Sequence, residues 1–159
     1  LGVVLFLGSR ILAYNDHLTT PDIYFQVRPP IARLQALTAG QEPAGRYLSQ
    51  SQIFFDLGDQ AELDTIYADQ LDESGLWTYT VATKQKEVIA PNLSMVYGLS
   101  SVDGFDGGIL PLADYTEATS HLLPDGFEST DGRLREYIEG VPDEALLDLF
   151  GVQYLITDK

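Results

Sequence analysis

Apolar positions along the chain change their spacing several times, and each spacing predicts an element. Behind Pro29 and Pro30, Ile31, Leu34 and Leu37 recur every third residue. This predicts a helix opened by the second proline, where a missing N–H costs nothing, and ended at Gly40. Arg46 to Ser49 and Ile53 to Leu57 read as short strands between turns. Asp59, followed three residues later by Glu62, makes a capping-box pattern that Leu63, Ile66, Tyr67 and Leu71 continue at helical spacing. Leu76 to Thr83 instead alternates Trp77, Tyr79 and Val81 with Thr78, Thr80 and Ala82, a period of two built from β-formers. Taken alone that is a strand. Lys84 to Glu87 have good helix propensity, however, so a helix from Ser74 onward is its rival and propensity leaves both open.

The most distinctive stretch is Ala90 to Asp114. After a turn at Pro91 and Asn92, Leu93 to Leu99 read as a short buried element interrupted by Gly98. Asp103, Gly104, Asp106, Gly107 and Gly108 follow, and their glycines permit the positive φ angles of a specially shaped loop. Leu112, Tyr115 and Thr119 mark a helix reaching to about Leu123, and Pro124 to Gly132 is rich in turn residues. Arg133 to Glu139 and Asp143 to Phe150 read as two further helices, the second with Gly151 where a C-cap glycine belongs. Val152 to Thr157 reads as a closing buried strand. At the other end, Leu1 to Ala13 suits a strand or a buried helical turn, Tyr14 to Pro21 a loop, and Ile23 to Val27 a short extended piece. Strands and helices interspersed in this way predict an α/β fold, a single layered domain over 1–159 with a mixed sheet and several short helices.

Composition narrows the function. A chain of 159 residues suits one core, and 45% hydrophobic against 21% charged residues is ordinary globular usage. Nine Lys and Arg against 24 Asp and Glu leave a formal charge of −15, a field that repels phosphate backbones and excludes nucleic acid as a natural partner. The absence of cysteine removes disulfides, thiolate metal sites and thiol nucleophiles. Leu1 to Gly8 is apolar but far shorter than the roughly 20 residues of a bilayer span. It reads either as a buried strand or as the stub of a transmembrane helix. With Met95 the sole methionine, the sequence reads as a fragment or processed product.

Candidate chemistry gathers in the Gly/Asp loop. Asp103, Asp106 and Asp114 are residues of the type that hold hard cations or do acid/base work, although Asp and Gly are also the ordinary residues of turns. Tyr97, Phe105 and Tyr115 around them add rings of the kind that stack on sugar faces, and core packing explains such rings equally well. The acids from Asp56 to Glu73 are accounted for by capping and by a solvated helix face. His17 and His121 lie outside any metal-ligand motif, no GxSxG elbow is present, and DGFDGG lacks the lysine of a phosphate loop. Arg133 and Arg135, near Tyr137, suit a solvated surface or an anion site. Nothing in the sequence calls for a cofactor.

Two blocks carry a resemblance. Pro91 and Asn92, Tyr97 and Gly98, and Asp103 to Asp106 form the first, and Leu146 to Leu155 the second. In this order they resemble extracytoplasmic portions of large bacterial multispanning membrane proteins, the YfhO-like family and relatives similar to GT-C-type glycosyltransferases using lipid-linked sugars. The resemblance implies an extracytoplasmic domain, on the outer face of a bacterial membrane, whose partner is the transmembrane part of its own parent chain and whose ligand is a glycan or lipid-linked sugar. It also implies that catalytic carboxylates lie elsewhere in the parent, leaving this domain an accessory or ligand-positioning role. Ligand contacts would then fall to Asp103, Asp106, Asp114, Tyr97 and Phe105. Two other readings stand beside it: a self-contained carbohydrate-active or metal-dependent enzyme using the Asp/Gly loop, and a purely structural interaction domain.

Overall fold

The computed structural model describes residues 25–51, 57–105 and 111–157. The readings of Leu1 to Ala13, Tyr14 to Pro21, the start of Ile23 to Val27 and the strand before Leu57 lie outside them. Among the described residues, 25–26 and 57–84 belong to one compact unit, and 27–51, 85–105 and 111–157 to another.

The second unit is built on a short strand, β1 (Arg46–Ser49), flanked by β2 (Ser100–Ser101) and β3 (Val152–Ile156) in the order β2-β1-β3. All three strands are parallel, with Arg46 beside both Ser100 and Val152. Together with the helices they make an α/β fold. Parallel sheets are stable when both faces are covered, and β1 meets that condition by sending alternate side chains to opposite cores. Tyr47 joins Ile31, Leu34, Ile89 and Leu99 on one face. Leu48 joins Val102, Leu122, Leu123 and Leu134 on the other. Each fully buried aliphatic side chain among these stabilises the fold by about 1.5–3 kcal/mol.

Helix α1 (Pro29–Thr38) covers the first face. It opens on its proline pair, buries Ile31 and Leu34, and is followed by Gly40 at a φ of +77°, as the spacing predicts. Leu37 faces partly outward. The same core takes in Leu93 and Tyr97, and Tyr154 and Ile156 of β3.

The expected buried strand at the C-terminus is an edge strand among the described residues, half-buried in alternation. Its register shifts between Arg46 and Tyr47, because Val152 pairs with Arg46 while Tyr154 pairs with Tyr47. Gln153 is the extra residue of a bulge, and it changes the phase of the strand. Val152 therefore packs with the Leu48 core, whereas Tyr154 and Ile156 pack with the Tyr47 core. Gly45 lies under the end of the exposed Gln153 side chain: a Cβ there would lie 2.7 Å from its Cδ, so a larger residue requires that flexible side chain to swing aside.

In the first unit, α2 (Leu57–Tyr67) begins two residues before Asp59, which places that residue inside the first turn and corrects its reading as the cap. Helix α3 (Glu73–Glu87) decides the contest over Leu76 to Thr83 in favour of a helix. Asp72 caps it, its Oδ1 accepting the Gly75 N–H at 2.7 Å. The threonine hydroxyls that argued for a strand turn back instead: Thr78 donates to the Ser74 carbonyl and Thr80 to the Leu76 carbonyl, each at 2.9 Å. Tyr79 is buried against Tyr67 with ring centroids 4.4 Å apart and hydroxyls 2.9 Å apart, and Leu63, Leu71, Leu76 and Ala82 close this small core.

Four elements complete the second unit: α4 (Leu93–Val96), β2, α5 (Ala113–Ser120) and α6 (Glu144–Leu149). The buried element expected over Leu93 to Leu99 is only partly buried. One helical turn offers the core a single side, so Leu93 and Ser94 face inward while Met95 and Val96 are each 73% exposed. The helix expected over Arg133 to Glu139 is a lone turn in which the amides of Tyr137 and Ile138 share the Leu134 carbonyl. Tertiary bonds claim this segment, as the site below makes plain. Helix α6 behaves as its sequence predicts, with Asp143 accepting the Ala145 N–H at 2.8 Å and Gly151 at a φ of +65°. No helix among the described residues is long and apolar enough to cross a membrane.

Candidate functional site

The Gly/Asp loop leaves β2 at Ser101, and its first residues are fixed by two polar arrangements. In the first, Asn92 adopts a left-handed conformation with φ of 71°, tolerable for its short polar side chain. Its amide clamps the loop from both directions, Nδ2 donating to the Phe105 carbonyl at 2.7 Å and Oδ1 accepting the Phe105 N–H at 3.0 Å. The Pro-Asn pair and the Asp-Gly-Phe run are thus two halves of one structural joint.

The second arrangement buries a charge pair. Asp103 turns inward, its side chain wholly inaccessible and that of Arg135 2% exposed. The Arg135 Nε donates to Asp103 Oδ2, while Oδ1 accepts the Leu134 N–H at 2.8 Å. Arg135 then extends its Nη1 to the Val88 carbonyl at 3.0 Å and its Nη2 to the Ile89 carbonyl at 2.9 Å. Ser49 of β1 adds its hydroxyl to the same Val88 carbonyl at 3.1 Å. A guanidinium suits this place because its fixed fork serves a carboxylate and two carbonyls at once. Burial pushes the Asp103 carboxyl above its ordinary range, opposed by the Arg135 charge and by the hydrogen bonds from Arg135 and Leu134. Burial likewise raises the nearby Tyr47 hydroxyl, against hydrogen bonds with Ser101 and Ser94.

The other candidate residues are dispersed. Tyr97 caps α4 and packs half-buried on the Tyr47 core, its carbonyl accepting from Gln35 Nε2 at 2.9 Å. Phe105 is 43% exposed, with the Arg133 guanidinium 5.2 Å from its ring centroid. Asp114 sits exposed in the first turn of α5, where a carboxylate complements the helix dipole. Asp106 lies outside the described residues. Tyr115 donates its hydroxyl to the Val102 carbonyl at 2.8 Å, which ties α5 to the end of β2. His121 is exposed, and His17 is outside the described residues.

Sequence reasoning grouped Arg133 with Arg135 as a surface or anion-binding pair, and the structure separates them. Arg133 faces solvent, bonded to Asp131 and Glu136, and holds the Asp131 carboxyl below its ordinary range. Arg135 faces the core. The available signal was its place between Leu134 and Tyr137, both of which pack in the Leu48 core. Asp103 also moves from a candidate ligand contact to an internal ion pair. Among the described residues, no three His, Asp or Glu side chains converge as a metal-ligand set. Chemically, the arrangement holds a loop and a sheet edge in register. Comparison with protein-family models, curated proteins and solved structures finds no match for this chain.

Proposed function

We propose that this chain is a non-catalytic extracytoplasmic domain of a multispanning, glycosyltransferase-like membrane protein, where it serves an accessory, ligand-positioning role beside the membrane-embedded part. The observation that carries this reading is the position of the two resembling blocks. The Pro91 to Phe105 block supplies β2 on one side of β1 and the Leu146 to Leu155 block supplies most of β3 on the other, so both are built into the same three-stranded sheet. Their distinctive residues make internal structure: Asn92 clamps Phe105, Asp103 pairs with Arg135, and Gly151 ends α6. Motifs occupied in this way support a structural role for these residues, as the reading of an accessory domain requires.

Among the described candidate residues, Phe105 is partly exposed beside Arg133, and Asp114 is exposed on α5. An aromatic ring and a carboxylate are each groups of the kind that hold a hydroxyl-rich ligand such as a glycan.

The test is topological. Alkaline phosphatase, active only outside the cytoplasm, is fused after Lys159 in the parent chain, and green fluorescent protein is fused there in parallel. Phosphatase activity without fluorescence is the expected outcome. A fluorescent fusion lacking phosphatase activity would place the domain in the cytoplasm and reject the reading.

A further inference from the structure

The end of α3 holds a conformation that its own residue disfavours. Ile89 has a φ of 45°, in the left-handed region where glycine normally ends a helix and where a β-branched side chain is an outlier. The hydrogen bonds are those of a tight helical terminus: Ile89 N–H donates to the Lys86 carbonyl at 3.3 Å, and Ala90 N–H reaches back to the Gln85 carbonyl at 2.7 Å. The Ala90 bond depends on the left-handed residue before it. Strain of this sort persists only where surrounding contacts over-determine it.

Those contacts are visible. Ile89 is fully buried among Ile31, Leu34, Tyr47 and Leu99, so the core holds its side chain. Arg135 holds its backbone through two carbonyls, and Asp103 orients Arg135 in turn. On the helical side, Arg28 at the start of α1 pairs with Glu87 in the last residue of α3. The turn at 88–89 thus lies between two ionic anchors and is itself the strained link.

We infer that residues 88–90 form a latched hinge, with a closed state in which Ile89 is left-handed and an open state in which it relaxes, and that the Arg135 fork selects the closed one. Loss of the two guanidinium–carbonyl bonds frees the turn to relax toward an ordinary conformation, at which point the Ala90–Gln85 bond breaks. The β1–β3 pairing need not move, because β1 meets the turn through side chains, the Ser49 hydroxyl on Val88 and Tyr47 packed with Ile89, and through none of its strand-pairing hydrogen bonds. Opening is therefore local to the helix end.

Amide exchange followed by NMR reads this directly, with Ala90 N–H reporting the hinge and Gln50 N–H, bonded to the Ile156 carbonyl at 2.9 Å, reporting the sheet. In Arg135→Lys, which keeps a cation for Asp103 but loses the fork, Ala90 is expected to exchange at least about tenfold faster than in the wild type while Gln50 is unchanged. An equal rise at both amides, or none at Ala90, overturns the latch. A second comparison leaves Arg135 intact. Ile89→Ala and Ile89→Gly remove nearly the same buried side chain, but only glycine is at ease in the left-handed region, so Ala90 should exchange about fivefold or more slower in the glycine variant. Slower exchange in the alanine variant, as at an ordinary helical position, would refute the strain.

Discussion

Arg133 and Arg135 stand two residues apart, and each pairs with an aspartate, yet the two pairs do opposite jobs. Arg133 lies at the surface beside Asp131 and Glu136, with water ready to replace either partner. Arg135 is closed off from solvent with Asp103 and two carbonyls. The first pair gains little because solvent screens it. For the second, desolvating both ions is costly, and what matters is that no group is left unmatched. The comparison teaches that burial and completeness of partners, more than the presence of opposite charges, decide what an ion pair contributes.

Removing one member of the buried pair should have the largest effect. Arg135→Ala leaves the buried Asp103 carboxylate without its counter-ion and takes the guanidinium donors from the Val88 and Ile89 carbonyls, and a loss of about 3–5 kcal/mol in urea unfolding is expected. Replacing both partners sharpens the point. Asp103→Leu with Arg135→Met should recover most of that loss, since an apolar pair leaves no buried charge; a double variant as unstable as the single one would mean the ion pair itself stabilises the fold. Asn92→Ala comes next, expected to cost about 1–3 kcal/mol by releasing both backbone groups of Phe105.

The two aspartates should also respond to pH with opposite sign. The Asp103 carboxyl is raised in the folded state, so its contribution is fully present below the ordinary aspartate range and is lost as pH rises through the folded value. The wild type should therefore lose stability relative to Asp103→Asn as the solution goes from strongly acidic toward neutral. The Asp131 carboxyl is lowered, so its contribution is present above the ordinary range and is lost as pH falls through the folded value. Relative to Asp131→Asn, the wild type should weaken only at the acidic end. Arg133→Ala should shift the unfolding midpoint least, by an amount that high salt erases. A shift that persists in salt would dissolve the contrast between the pairs.

Much of the fold was legible where local chemistry and tertiary structure agree. The proline pair, Ile31, Leu34 and Gly40 wrote α1 plainly, as Asp143 and Gly151 wrote α6. Leu76 to Thr83 was ambiguous because its β-branched and aromatic residues fit a strand, and the outcome rested on Asp72 capping and on hydroxyls bonded four residues back. The segment Arg133 to Glu139 misled because helix propensity says nothing of a distant carboxylate that takes the Leu134 N–H. For the site the limit was direction. Asp103 and Arg135 were both noticed, but a one-dimensional reading has no means of showing that they face each other. Met95 and Val96 misled for the same reason, since an apolar run does not reveal that a single turn buries one side only.

The bulge at Gln153 has a consequence for variation among relatives of this chain. Gly45 and Gln153 lie far apart in the sequence, yet the space one leaves is filled by the other. A larger residue at 45 requires the Gln153 side chain to turn away or to be shorter, whereas dropping residue 153 would restore plain alternation and leave Tyr154 and Ile156 on the face they now occupy. Larger residues at 45 are therefore expected together with shorter side chains at 153.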